Sequence, residues 1–120
     1  MAVRAIRGAT QVDADDRQEI LDATRELVSA VIERNELDTA DLISILFTST
    51  PDLVSEFPAL AARELGLGDV PLMCATEIGV PHALPRVLRL MAHVETDRPR
   101  SEVAHVYLRG AVALRRDIAQ

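Results

Sequence analysis

Lysine and tryptophan are missing from this 120-residue chain, cysteine occurs once, and the aromatic side chains are limited to Phe47, Phe57 and Tyr107. So few rings leave little for exposed bases to stack on. With a formal net charge of −6, nucleic acid and anionic membrane surfaces are both excluded as expected partners. The lone Cys74 cannot form an intramolecular disulfide and suits a reducing compartment. No apolar run approaches the ~20 residues of a membrane span, and no basic-then-apolar leader opens the chain, so a cytoplasmic protein is expected. All 13 basic residues are arginine. Any anion site must therefore be local, a few guanidinium groups converging against the field of the whole molecule.

What is present describes a globular domain. Apolar residues make up 48% and charged residues 27% of the chain, a balance that supports a core of ordinary size. Neither a repeat nor a linker divides it, so residues 1–120 are taken as one domain. Strands are expected over residues 2–12, 41–50, 70–76 and from about 86 to 94. The clearest helix follows Asp16, with Ile20, Leu27, Val28, Val31 and Ile32 on one face and Asn35 as its stop. Asp13, Asp15 and Asp16 lack the glycine and distal glutamate of a calcium loop. They read instead as a helix start, with Asp16 as cap and Glu19 completing a box-like pattern. A short helix begins near Pro58 and ends at Gly66 and Gly68, and a helical turn falls near 101–105. Strands separated by helices imply an α/β or α+β fold, a mixed sheet with helices on one side. Four strands with so little cover would leave apolar surface open, which predicts an oligomer.

Two strands carry a charge where an apolar residue would pack more simply. In "RVLRLMAHV", Leu88, Leu90, Ala92 and Val94 share one face, while Arg89 lies between Val87 and Met91 on the other. Arg7 likewise follows Val3 and Ala5. Either an anion is received there or both strand faces are solvated. Other signals exclude more than they assert. Cys74 lacks a histidine partner for thiolate chemistry. His82, His93 and His105 show no metal-ligand spacing. No P-loop, dinucleotide turn or nucleophile elbow occurs. A collection remains: Arg7, Arg63, Arg89, Arg115 or Arg116, the carboxylate of Glu77, and Tyr107, which together fit a pocket for a multiply charged anion.

The blocks "RAIRGAT", "FPALAARELG", "VPLMCATEI", "RVLRLMAHVETD" and "HVYLRGAVALR", in this order and at this spacing, resemble the monofunctional chorismate mutases of the trimeric, pseudo-α/β-barrel class. The similarity runs from about residue 2 to 118. It implies a homotrimer with active sites in the clefts between subunits, and the Claisen rearrangement of chorismate to prephenate in aromatic amino-acid biosynthesis. By this resemblance Arg7 matches the carboxylate-binding arginine and Arg89 the arginine at the ether oxygen. Glu77 and Cys74 match the residues that bind the hydroxyl, and Tyr107 the tyrosine that joins Arg7 at the carboxylate. Phe57, Ala59 and Arg63 match the wall supplied by the neighbouring subunit, and Leu114 and Arg115 the segment near the C-terminus. Met73 stands where some relatives carry threonine. The family's Leu-Arg-Pro-Asp is here Leu114-Arg115-Arg116-Asp117; the missing proline implies a flexible tail from about residue 116 and leaves either arginine to close the pocket.

The rearrangement is concerted and intramolecular, so it needs no proton transfer, cofactor or metal. Negative charge gathers on the departing ether oxygen in the transition state, where a fixed cation is worth more than in the ground state. Arg89 would be that cation. Two alternatives fit less of the pattern. An imine or enamine hydrolase of the same architecture explains Arg89 but not Glu77, Cys74 or "IRGAT". A non-catalytic anion-binding trimer would keep the pocket without turnover.

Overall fold

The computed structural model describes residues 1–115; the expected flexible tail and the alternative cation Arg116 lie outside the described residues. Five strands form one mixed sheet: β1 (Ala2–Gln11), β2 (Leu42–Ser49), β3 (Leu72–Thr76), β4 (Val87–Thr96) and β5 (Val106–Tyr107). Their order across the sheet is β3-β2-β4-β1-β5. β4 lies at the centre, antiparallel to β1 and β2, while β3 and β5 run parallel to β2 and β1 at the two edges. The four strands expected from sequence are present. The fifth is only two residues long, too short to show an alternation in sequence.

Helix α1 (Arg17–Arg34) starts as its sequence requires. The Asp16 side chain accepts the Glu19 backbone N–H at 2.9 Å, a cap that stabilises by ~1 kcal/mol. The second half of the expected box differs: Glu19 accepts the backbone N–H of Asp13 rather than that of Asp16. At the other end Asn35 is buried, and its amide bridges Val31 O and the backbone of Ala104. The helix stop thus also anchors the approach to β5. The second helix, α2 (Pro58–Ala62), runs into a widened turn over Arg63–Leu67 and ends where Gly66 adopts φ 90°, a conformation costly for any residue with a Cβ.

Both helices cover one face of the sheet. Ile6, Phe47, Leu90 and Val94 meet Leu27, Val28 and Val31 of α1 and Ala59 and Ala62 of α2. At Gly8 a Cβ would come within 3.2 Å of Leu27, so the glycine after Arg7 lets α1 approach the sheet closely. The opposite face carries Val3, Ala5, Leu46, Met73 and Met91, all exposed. Among the described residues it is covered only at one end, where the turn Arg109–Leu114 packs Ala111 against Ala9 and Tyr107. Among the described residues no helix is long and apolar enough to cross a membrane.

Candidate active site

Strand pairing brings the two arginines to the same uncovered face. Arg7 pairs with Met91 and Arg89 with Ala9 between β1 and β4, and directly opposed residues share a face. On the far side of β4, Arg89 pairs with Thr48 and Met91 with Leu46. The alternation that buries Leu88, Leu90, Ala92 and Val94 therefore turns Arg89 and Met91 outward. Arg7, Leu46, Thr48, Arg89, Met91 and Tyr107 line a concavity of about 340 Å³ on this face.

Glu77 joins this group from the end of β3. Its backbone N–H donates to Ser49 O at 2.9 Å, one step beyond the β2–β3 ladder. That bond fixes the point from which the carboxylate projects. Thr48 Oγ1 donates to Glu77 Oε2 at 2.7 Å, and Arg89 Nε donates to Oε1 at 3.2 Å. The Glu77 side chain is 17% exposed and that of Arg89 44%. Carboxylate and guanidinium are thus held by different strands, with Arg89 still reaching solvent. None of the ion pairs among the described residues uses Arg7, so its charge lines the concavity without a carboxylate partner there. Tyr107 is buried at 4% exposure beside Ala9 and Ala111. Leu114 packs against that same cluster, and Arg115 follows it, half-buried.

The remaining sequence candidates lie elsewhere. Cys74 pairs with Phe47 and packs against the helix-covered core, on the opposite face from Arg89. Met73, beside it, is exposed on the open face. Phe57 is 67% exposed and, with Cys74, lines a second hollow of about 270 Å³ that shares no lining residue with the first. Arg63 is exposed one turn beyond Ala59. Ala59 itself is buried in its own chain and presents no surface.

The loop that presents Phe57 is pinned by carboxylates. Asp15 accepts the backbone N–H groups of Val54 and Ser55 at 3.0 Å each. Burial pushes its pKa up, but the hydrogen bonds from Ser55 and Val54 outweigh it and hold the group below its ordinary value. Glu56 is also held low, chiefly by the Phe57 N–H, against burial and with help from Arg17 and Arg63. Asp15 belongs to the acidic cluster that reads from sequence as a helix start only. Thr48 was missed altogether; its signal is a hydroxyl on the outward phase of an otherwise apolar strand.

The comparisons with known proteins agree with one another. A family model for chorismate mutase type I matches residues 3–118. The chorismate mutase AroH of Thermus thermophilus is 49% identical over 117 residues, covering 97% of this chain and 96% of its own. The AroH of Bacillus subtilis (strain 168) is 42% identical over 120 residues, covering 99% and 94%. Among solved structures, a chorismate mutase from Clostridium thermocellum superimposes with a TM-score of 0.90 at 45% identity, over 92% of this chain and 98% of that one.

Proposed function

The chain belongs to the type I chorismate mutase family, and from that premise we propose how its residues convert chorismate to prephenate. The observation that carries the assignment is the Thr48–Glu77–Arg89 constellation on the open face, with the charge of Arg7, which has no ion pair among the described residues, in the same concavity. Arg89 meets the ether oxygen as its bond to carbon lengthens. Because the guanidinium is already oriented by Glu77, little reorganisation is needed when charge appears. Glu77 accepts the ring hydroxyl and opposes the positive charge that develops on the ring. Arg7 and Tyr107 take the side-chain carboxylate and favour the compact conformer in which the reacting carbons approach. No step moves a proton to or from the enzyme, and the chemistry calls for no cofactor or metal.

The site is completed by a second copy of the chain. Supporting this are the exposed apolar residues Leu46, Met73 and Met91 around the concavity, an area that a monomer has no reason to leave open. The separation of Phe57 and Arg63 from the Arg7–Arg89 group points the same way, since a neighbouring subunit in a closed ring can bring one edge to the other's face. Arg63 of that neighbour and Arg115 then draw in the dianion against the net negative charge, with Phe57 as part of the wall. Cys74, a free thiol that packs partly against the core and lines the hollow beside Phe57, joins Glu77 at the ring hydroxyl.

The test is direct: purified protein is mixed with chorismate, and loss of the substrate's ultraviolet absorbance is followed with identification of prephenate. Turnover of imines alone, or binding of chorismate without turnover, would overturn the assignment.

A further inference from the structure

We propose that His105 is a positioning residue for Arg7, its imidazole holding the β1 backbone at the point from which the guanidinium projects. The inference rests on the reading that Arg7 grips a substrate carboxylate. The backbone N–H of Arg7 donates to His105 Nδ1 at 2.9 Å, across 98 residues of sequence. Pairing between β1 and β5 is confined to Gly8 with Val106 and Ala9 with Tyr107. The imidazole therefore continues the ladder by one rung, supplying the acceptor that a backbone carbonyl would give in a longer strand. Two residues further along β5 is Tyr107. One side chain thus ties the strand carrying Arg7 to the strand carrying its partner at the carboxylate.

A backbone N–H needs a lone pair, so this bond requires the neutral imidazole with its proton on Nε2. An imidazolium would present N–H to N–H and lose the contact. The described surroundings oppose protonation. Arg4 and Arg7 of β1, His93 of β4 and Arg100 before β5 line a hollow of about 460 Å³ with His105, and among the described residues no carboxylate lines it. Arg115, in the C-terminal segment, adds its field. Burial first, then the Arg7 and Arg115 charges, hold the His105 pKa below the ordinary value of 6.5. The hold is therefore intact at neutral pH and is lost only as the pH falls below that value.

The experiment measures kcat/KM from neutral pH down to about 5, above the carboxylate range, for the unaltered protein and for His105→Ala, His105→Asn and Arg7→Ala. The asparagine Oδ1 takes the place of Nδ1 as acceptor but does not titrate. His105→Ala is expected to lose about tenfold in kcat/KM at neutral pH, because a small displacement of a clamping group is costly. It should differ less from the parent as the pH falls and the parent's own contact is lost. His105→Asn should stay within about twofold of the parent at neutral pH and should lack the parent's fall on the acid side. Should His105→Ala fail to fold, the acid limb of His105→Asn against the parent still decides. An asparagine variant as impaired as the alanine variant, or one sharing the parent's acid limb, overturns the inference. So does a His105→Ala protein with a lowered Tm and an unchanged kcat/KM. If Arg7→Ala is impaired and His105→Ala is not, only the role of His105 falls; if Arg7→Ala is unimpaired, the carboxylate assignment falls with it.

Discussion

Replacing the Arg89 guanidinium by a neutral group, as in Arg89→Gln or with the urea isostere citrulline, should separate catalysis from stability. Arg89 is 44% exposed and its one described ion pair is with Glu77 at 3.2 Å. A partly exposed pair of this kind contributes at most ~1 kcal/mol to folding, and the β4 ladder is made by the backbone. The fold should therefore survive with little change in Tm. The barrier is another matter. A unit cation ~3 Å from an oxygen carrying about half a negative charge, at an effective dielectric constant of about 20, contributes roughly 3 kcal/mol. That agrees with the loss of ~2.7–4 kcal/mol when one oxyanion donor is removed, and corresponds to a fall in kcat of about a hundredfold or more. The assay is the initial rate of chorismate loss as a function of substrate concentration, with kcat and KM resolved. A variant that raised KM while keeping kcat would show that Arg89 binds ground and transition states alike. That result, in a protein of normal Tm, would refute the reasoning.

Two further outcomes follow from the same geometry. Mixing Arg63→Ala with Arg89→Ala subunits by joint refolding should restore activity above either variant alone, since about a quarter of shared sites would then draw both intact residues from different chains; a mixture no better than the mean of its parts would place both residues in one subunit's site. Asp15 has a folded pKa below its ordinary 3.8, so its contribution to stability is full above that value and lost as the pH falls through the lower folded one. Asp15→Asn should accordingly flatten the acid end of a Tm-against-pH curve, and an unchanged curve would show that the Val54 and Ser55 bonds do not depend on the charge.

Much of this molecule was legible before folding, and for a definite reason. Strand alternation and helix periodicity depend on bond geometry over a few residues. The split of Leu88 and Leu90 onto one face and Arg89 onto the other could thus be read from "RVLRLM" alone, and the leucine face is the buried one. The Asp16 cap and the Asn35 stop are equally local. The site candidates were carried by resemblance across separated blocks, and Arg7, Glu77, Arg89 and Tyr107 do converge on one face. A match in sequence carried no information about which way a side chain faces: Ala59 is buried in the core, while Cys74 packs partly against it and partly lines the hollow beside Phe57.

The chain by itself, through its alternating strands and capped helix, determined which residues are inside and which arginines must remain at the surface. Only the tertiary structure decided their company: that Thr48 and Arg89 would meet on one carboxylate, that two residues of β5 would pair with β1, and that His105 would accept from Arg7. Those contacts span 12 to 98 residues. Their stability comes from the summed register of a whole sheet and the packing of both helices upon it, and no short window of sequence contains that sum.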